Sequence, residues 1–276
     1  GFTGTTRQND LDVSFTISTQ PGTNQASAAG GGSGTEWRQA FVTFGDKSWG
    51  TIKLGKDLGV FGSDAILSDM TLLGVGSSGD ALGVDFGNSH TTTLGHIGTG
   101  YIYADWQGQV SYTTPNMNGF QATVAVMQPW GAFTSTATAS GATTNTSGQE
   151  NFGYEAKASY TTSIGKVWVG YLQQDLDTVT VTGGGTVDRS TNAYEIGVSG
   201  NAGNLGLVAY YYSGDGLGST FKYMDAIDMA TGAERDSDGV FVQATYVVPT
   251  GTKLGVSYGR SDLDAAGTTD AGIANN

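Results

Sequence analysis

The stretch GKVWVGYLQQDLD, residues 165–177, decides the fold of this chain. Successive side chains of a strand point to opposite sides, so Val167, Val169 and Tyr171 fall on one face and Lys166, Trp168 and Gly170 on the other. The first face suits a dry environment. A protein core and a lipid bilayer both fit it, and the rest of the chain has to choose.

The same period-2 alternation recurs along the sequence, while helical periodicity is scarce. LDVSFTIST (11–19) sets Leu11, Val13, Phe15 and Ile17 against Asp12, Ser14, Thr16 and Ser18. Ten further segments follow: 37–45, 50–56, 108–114, 119–127, 152–162, 167–176, 192–200, 205–214, 239–248 and 253–261. Each is close to the roughly 9–11 residues of a tilted membrane strand. The connections alternate as well. Short turns such as DKSW, PNMN, SIGK, NAGN and PTGT are separated by long ones at 20–35, 58–106, 129–150, 177–190 and 214–238. Tight turns at one end of a meander and long loops at the other is the construction of an outer-membrane barrel. A soluble antiparallel sheet with one solvated face needs no such alternation.

Composition agrees. Only 13% of the 276 residues are charged, against about 25% in soluble domains, and 45 glycines fill much of the difference. There is no cysteine, so neither a disulfide framework nor thiolate chemistry is available. The net charge of −13 repels nucleic acid. No apolar run approaches the roughly 18 residues of a spanning helix, and no signal peptide is visible. The opening GFTGTTRQND reads like the interior of a longer chain. The alternation thus predicts an all-β transmembrane antiparallel barrel, one domain over 1–276, with the Val-Val-Tyr face against lipid.

Specific residues carry a family likeness. EWRQAFVTFGDKSWGTIKLGKDLG (36–59) resembles a strand–turn–strand of the general diffusion porins of Gram-negative bacteria. WQGQVSYTTPNMNGFQATVAV (106–126), YEAKASYTTSIGKVWVGY (154–171) and YEIGVSGNAGNLGLVAYYY (194–212) resemble further hairpins of that family in order, and the LDVSFTIST region an early one. The resemblance implies sixteen strands when complete, a homotrimer, the outer membrane of a Gram-negative bacterium, and no catalysis. Eleven segments plus a remnant at Gly1–Gly4 match the second to thirteenth strands, so the sequence is expected to be incomplete at both ends.

The resemblance also implies where function resides. The third external loop of the family folds inward and narrows the pore; here that is 58–106. Its acids are Asp64, Asp69, Asp80, Asp85 and Asp105. The facing wall is basic in the family, and the matching positions are Arg38, Lys53 and Lys56. Arg38 lies opposite in parity to Trp37 and Phe41 and is expected inward, although pairing with Glu36 stays open. Lys53 shares a face with Thr51 and Gly55; Lys56 has the other parity, so without a bulge only one of the two lines the pore. Each loop acid is either field-forming or merely solvated. Asp105 stands where many relatives have arginine, which weakens anion preference. The expected function is a passive channel for ions and small hydrophilic solutes, mildly cation-preferring, with lipids and solutes as its partners.

Other signals weigh less. GVGSSG (74–79) fits a dinucleotide-binding pattern in letters but follows no strand and opens no helix. His90 and His96 lack a fixed metal-ligand geometry. NTS (145–147) is a glycosylation sequon without evident use in a bacterial chain. RDSDG (235–239) and SGDG (213–216) leave calcium at a loop rim open; no other cofactor is expected. A Gly/Thr-rich structural or adhesive surface protein is the competing class. A solenoid of that kind requires a fixed short repeat, which the spacings lack. A third class, an outer-membrane enzyme, would need His90 or His96 beside a serine, and no spacing singles one out.

Overall fold

The computed structural model describes residues 1–21, 35–72, 95–132, 148–267 and 273–275. They form β1 (Phe2–Gln8), β2 (Leu11–Pro21), β3 (Thr35–Asp46), β4 (Gly50–Leu58), helix α1 (Ser63–Ser68), β5 (Trp106–Thr113), β6 (Phe120–Met127), β7 (Gly153–Thr161), β8 (Gly165–Thr180), β9 (Thr186–Ala202), β10 (Leu205–Asp215), β11 (Asp236–Val247), β12 (Lys253–Leu263) and β13 (Ile273–Asn275). The strands make a single 13-stranded sheet in chain order. Among the described residues its two edges are not paired with each other, and the sixteen strands implied by the resemblance are not reached. No helix of the described residues is long and apolar enough to cross a membrane.

Two boundaries differ from the alternation. The amino-terminal remnant is a full strand, β1, in register with β2 from Phe2↔Ile17 to Gln8↔Leu11. The long connection at 177–190 is mostly strand, because β8 and β9 continue their ladder to Thr180↔Thr186. A bulge between Leu176 and Val179, with Thr178 at φ 56°, interrupts the period and hides this extension in the sequence.

The ladder fixes the faces. Val167, Val169 and Tyr171 pair with Tyr160, Ala158 and Ala156 on one side and with Val198, Ile196 and Tyr194 on the other. Nearly all of this stripe's large side chains are exposed, Val169 by 48% and Tyr194 by 62%. The stripe continues through Leu207, Val242 and Val256 on β10–β12 and through Leu54, Val110 and Val124 on β4–β6, all exposed. A continuous apolar exterior of this extent needs a non-aqueous neighbour. Glu155, Lys157 and Lys166 are on the opposite, inner face, facing α1 and the loop around it.

The inner face is not uniform. Along β1–β6 it is polar: Arg7 bonds Asp12 at 2.7 Å, Ser14 meets Thr43, and Thr113 meets Thr123 at 2.9 Å. Along β8–β11 it is dominated by large apolar side chains, with Trp168, Leu172, Tyr210, Tyr212 and Phe241 buried beside Glu195 and Gln243. Trp168 lies flat over β9 because Gly197 leaves room; a Cβ on Gly197 would stand 2.1 Å from the Trp168 ring. These side chains pack against Phe61, Ile66, Ile97, Tyr101 and Ile102 of the 58–106 connection and Leu217 of the β10–β11 connection. This half of the inner face is dry, whereas the sequence reading has a wet face throughout. The reason is tertiary: loops supply the apolar cover.

Candidate functional site

The described limbs of the long connection, 59–72 and 95–105, hang on the inner face by hydrogen bonds to wall side chains. Ahead of α1 the backbone turns through Gly62 at φ 78° and aims successive N–H groups outward. Val60 and Phe61 donate to Glu155 Oε2 at 2.7 and 2.8 Å, and Gly62 donates to Glu195 Oε2 at 2.8 Å. After α1, Met70 N–H donates to Gln243 Oε1 at 2.8 Å, and Gln243 Nε2 donates to the Ser68 carbonyl at 2.9 Å. On the return limb Gly100 N–H donates to Ser261 Oγ at 2.9 Å. These bonds come from β7, β9, β11 and β12, so the loop spans much of the sheet. Buried carboxylates that accept N–H bonds make charge-assisted contacts, which are strong when desolvated.

The predicted charges separate into distinct roles. Asp64, on α1, ion-pairs with Lys157 at 2.8 Å and Lys166 at 2.5 Å. Burial pushes its carboxyl upward, yet the two ammonium groups outweigh that and hold it below the usual carboxylate range. Asp69 is buried and accepts bonds from Thr71 at Oδ1, and from His96 N–H and Tyr101 OH at Oδ2. Burial is the main cause pushing the Tyr101 phenol well up, which keeps it a donor to Asp69. Asp69 therefore holds the loop together, and its charge is buried within it. Asp105 has φ 58°, its Oδ1 accepts the Trp106 N–H at 2.6 Å, and its carbonyl accepts from Gly59 at 2.7 Å, closing the loop base. Asp80 and Asp85 lie outside the described residues.

The basic wall is also rearranged. Lys53 faces inward and ion-pairs with Asp57, which also accepts from Gln39 Nε2 at 2.9 Å. Lys56 is register partner of Ala40 and Gly108, on the face of Leu54 and Val110. The ladder has no bulge there, so Lys56 points outward and leaves the wall. Arg38 is the extra residue where Ser18↔Gln39 gives way to Thr19↔Trp37. Its guanidinium lies 5.9 Å from the Trp106 ring centroid. The parity argument for Arg38 fails, because Phe41 shares the inner face with Lys53, whose ammonium sits 4.9 Å from the Phe41 ring centroid. The Glu36 side chain lies outside the described residues.

Lys157, Lys166, Glu155 and Glu195 were the residues to find. Alternation puts all four on the wet faces of their strands, with Glu155, Lys157 and Lys166 expected toward the lumen, but gives none of them a role in holding the loop. His96 is structural: Nδ1 meets the Thr99 carbonyl at 3.1 Å and Nε2 meets Ser257 Oγ at 2.8 Å. His90 lies outside the described residues. The two acidic rim stretches do meet, with Asp215 as register partner of Asp236, but among the described residues no three His, Asp or Glu side chains converge on a metal position.

A sequential antiparallel meander, an apolar exterior, a charged interior and a long loop on the inner wall define a β-barrel channel of the outer membrane. The model of the Gram-negative porin family matches residues 1–275, and the chain belongs to that family. The fold is similar to that of OmpF of Salmonella typhi in complex with daunomycin, at TM-score 0.64 and 17% identity over 95% of this chain and 70% of that one. It is also similar to the outer-membrane channel DcaP of Acinetobacter baumannii, at TM-score 0.61 and 14% identity over 94% of this chain and 64% of that one. A third similar structure, titled as a porin refined at 1.8 Å, gives TM-score 0.53 and 16% identity over 95% of this chain and 75% of that one. This chain thus spans 64% to 75% of the lengths of these solved channels. No protein with a curated description matches it. The protein is an outer-membrane porin, and family and fold point to a channel rather than an enzyme.

Proposed function

We propose that the protein forms a water-filled pore for passive diffusion of ions and small hydrophilic solutes, with mild cation preference, as a homotrimer. One observation carries the reading. The described limbs of the 58–106 connection hang on the inner wall, while Ser14, Thr43, Lys53, Thr113 and Thr123 keep the inner face of β2–β6 polar and, among the described residues, only partly buried. The passage then runs along a cleft between α1 and that wall, lined by Gln39, Lys53, Asp57, Ser63, Gln109 and Lys157. Selectivity arises from the charges that line such a neck.

The ion pairs there nearly balance, with Lys53, Lys157 and Lys166 facing Asp57 and Asp64. The one excess lysine charge there is offset by Asp105, and the bias toward cations comes from the net charge of −13. That makes the preference for cations mild. The trimer follows the family resemblance, and the apolar exterior suits the lipids of the outer membrane. Among competing classes, a surface protein without a channel is not favoured by the family membership. Reconstitution into planar bilayers tests the reading. The zero-current potential across a salt gradient should show modest cation preference, and liposomes should swell with small neutral sugars. Clear anion preference, or no conductance, would refute it.

A further inference from the structure

The β10–β11 connection, residues 216–235, folds onto the inner face beside the 58–106 loop. Leu217, Ser219, Thr220, Lys222, Tyr223, Met224, Ala226 and Ile227 are all buried. The two loops are joined directly: Tyr103 N–H donates to the Thr220 carbonyl at 3.0 Å, and the Tyr103 and Phe221 rings meet edge-on at 5.6 Å. Within this contact Lys222 is 1% exposed and Glu155 2% exposed. Lys222 Nζ contacts Glu155 Oε1 at 2.5 Å and donates to the Ala104 carbonyl at 3.1 Å. Glu155 holds the outgoing limb at Val60 and Phe61 through its other oxygen. Ala104 belongs to the returning limb, and a Cβ on Gly59 would stand 2.2 Å from the Ala104 carbonyl oxygen and 3.0 Å from Lys222 Nζ. One ammonium thus sits where both limbs converge on the wall.

We infer that Lys222 is a positioning residue for conduction: it latches the 58–106 loop to the wall from a second loop, and so sets the width and steadiness of the passage. This rests on the reading of 58–106 as the constriction. A buried charge left without its partner is strongly destabilising, whereas removing both partners restores neutrality. Lys222→Met leaves Glu155 buried and unpaired, which expels it and its two N–H donors from the wall. Glu155→Gln with Lys222→Met removes both charges and keeps an acceptor oxygen for Val60 and Phe61.

The chain has no cysteine, so a single Ala65→Cys on α1 reports loop opening cleanly; Ala65 is fully buried. In vesicles, a water-soluble thiol reagent should label Ala65→Cys slowly in the unmodified background. Adding Lys222→Met should speed labelling by a few hundredfold or more, on the order of the ratio expected when a buried ion pair loses one member. Single-channel records of Lys222→Met should show larger and noisier conductance. The double variant should return labelling to near the slow rate. Unchanged labelling in Lys222→Met overturns the latch. Fast labelling in the double variant also overturns it, since the loss would then be one of packing and not of charge. If Lys222→Met fails to fold, the charge-free double variant still decides. Labelling needs no conduction, so a protein that labels as expected but passes no ions would sink the channel reading and leave the latch standing.

Discussion

Replacing Asp64 by Asn should shift the pore toward anions. Asp64 is the one described carboxylate paired with both Lys157 and Lys166, at 2.8 and 2.5 Å. The amide keeps the size and one acceptor oxygen but removes the charge, leaving two ammonium groups uncompensated beside α1. For an ion passing roughly 7 Å away in water, one unit charge is worth about 0.6 kcal/mol, and screening at 0.1 M salt about halves it. Cations lose about 0.3 kcal/mol and anions gain about as much, so the cation-to-anion permeability ratio should fall by about threefold. In 1 M salt the Debye length shrinks to about 3 Å and the shift should nearly vanish. The assay is the zero-current potential of the reconstituted channel across a KCl gradient at both salt levels. A ratio that stays the same at 0.1 M, or moves toward cations, refutes the placement of Asp64 at the passage.

Three further outcomes are expected. Because the Asp64 carboxyl is held low by its lysines, its charge is complete above the ordinary value of about 3.9 and is lost only as pH falls through the lower folded value; the difference in selectivity between the unmodified channel and Asp64→Asn should stay flat from pH 7 to about pH 4 and vanish below that, and a midpoint of this difference above 4 would contradict the pairing. Gly197→Val drives a side chain into the Trp168 ring and should cost about 1–3 kcal/mol, seen as a lower temperature for loss of compact mobility on gels; an unchanged temperature would mean Trp168 is not packed over β9. Val169→Lys places a charge in the exposed apolar stripe and should cost about 2–4 kcal/mol of folding stability in lipid vesicles. Ser159→Lys, on the inner face, should cost far less, and equal losses would overturn the assignment of the faces.

The fold was legible because its signal is local. Strand period, turn residues and loop length all lie within ten or twenty residues of each other, and the Val167–Tyr171 stripe lands on the exterior as alternation requires. Lys53 and Lys56 were separable by parity alone, since the β3–β4–β5 ladder has no bulge between them. Arg38 was not, because a bulge inserts one residue and cancels the parity count. The outer end of the β8–β9 hairpin, 177–190, reads as a loop for the same reason: the irregularity at Thr178 breaks the period just where Gly and Thr dilute it.

The sequence by itself determined the meander and the exterior, because side-chain alternation against lipid is enforced residue by residue along one strand, whereas the inward course of the 58–106 connection was implied by the family resemblance. Only the tertiary structure decided what each charge does. Asp64 faces two lysines 93 and 102 positions further on, Lys222 reaches Glu155 across 67, and Asp69 is enclosed by Tyr101 and His96. An isolated Asp or Lys in a loop looks the same in sequence whether it ends in water, in an ion pair or in a buried hydrogen-bond network. Which of these it meets is settled by desolvation and by partners brought from distant strands, and no period along the chain encodes them.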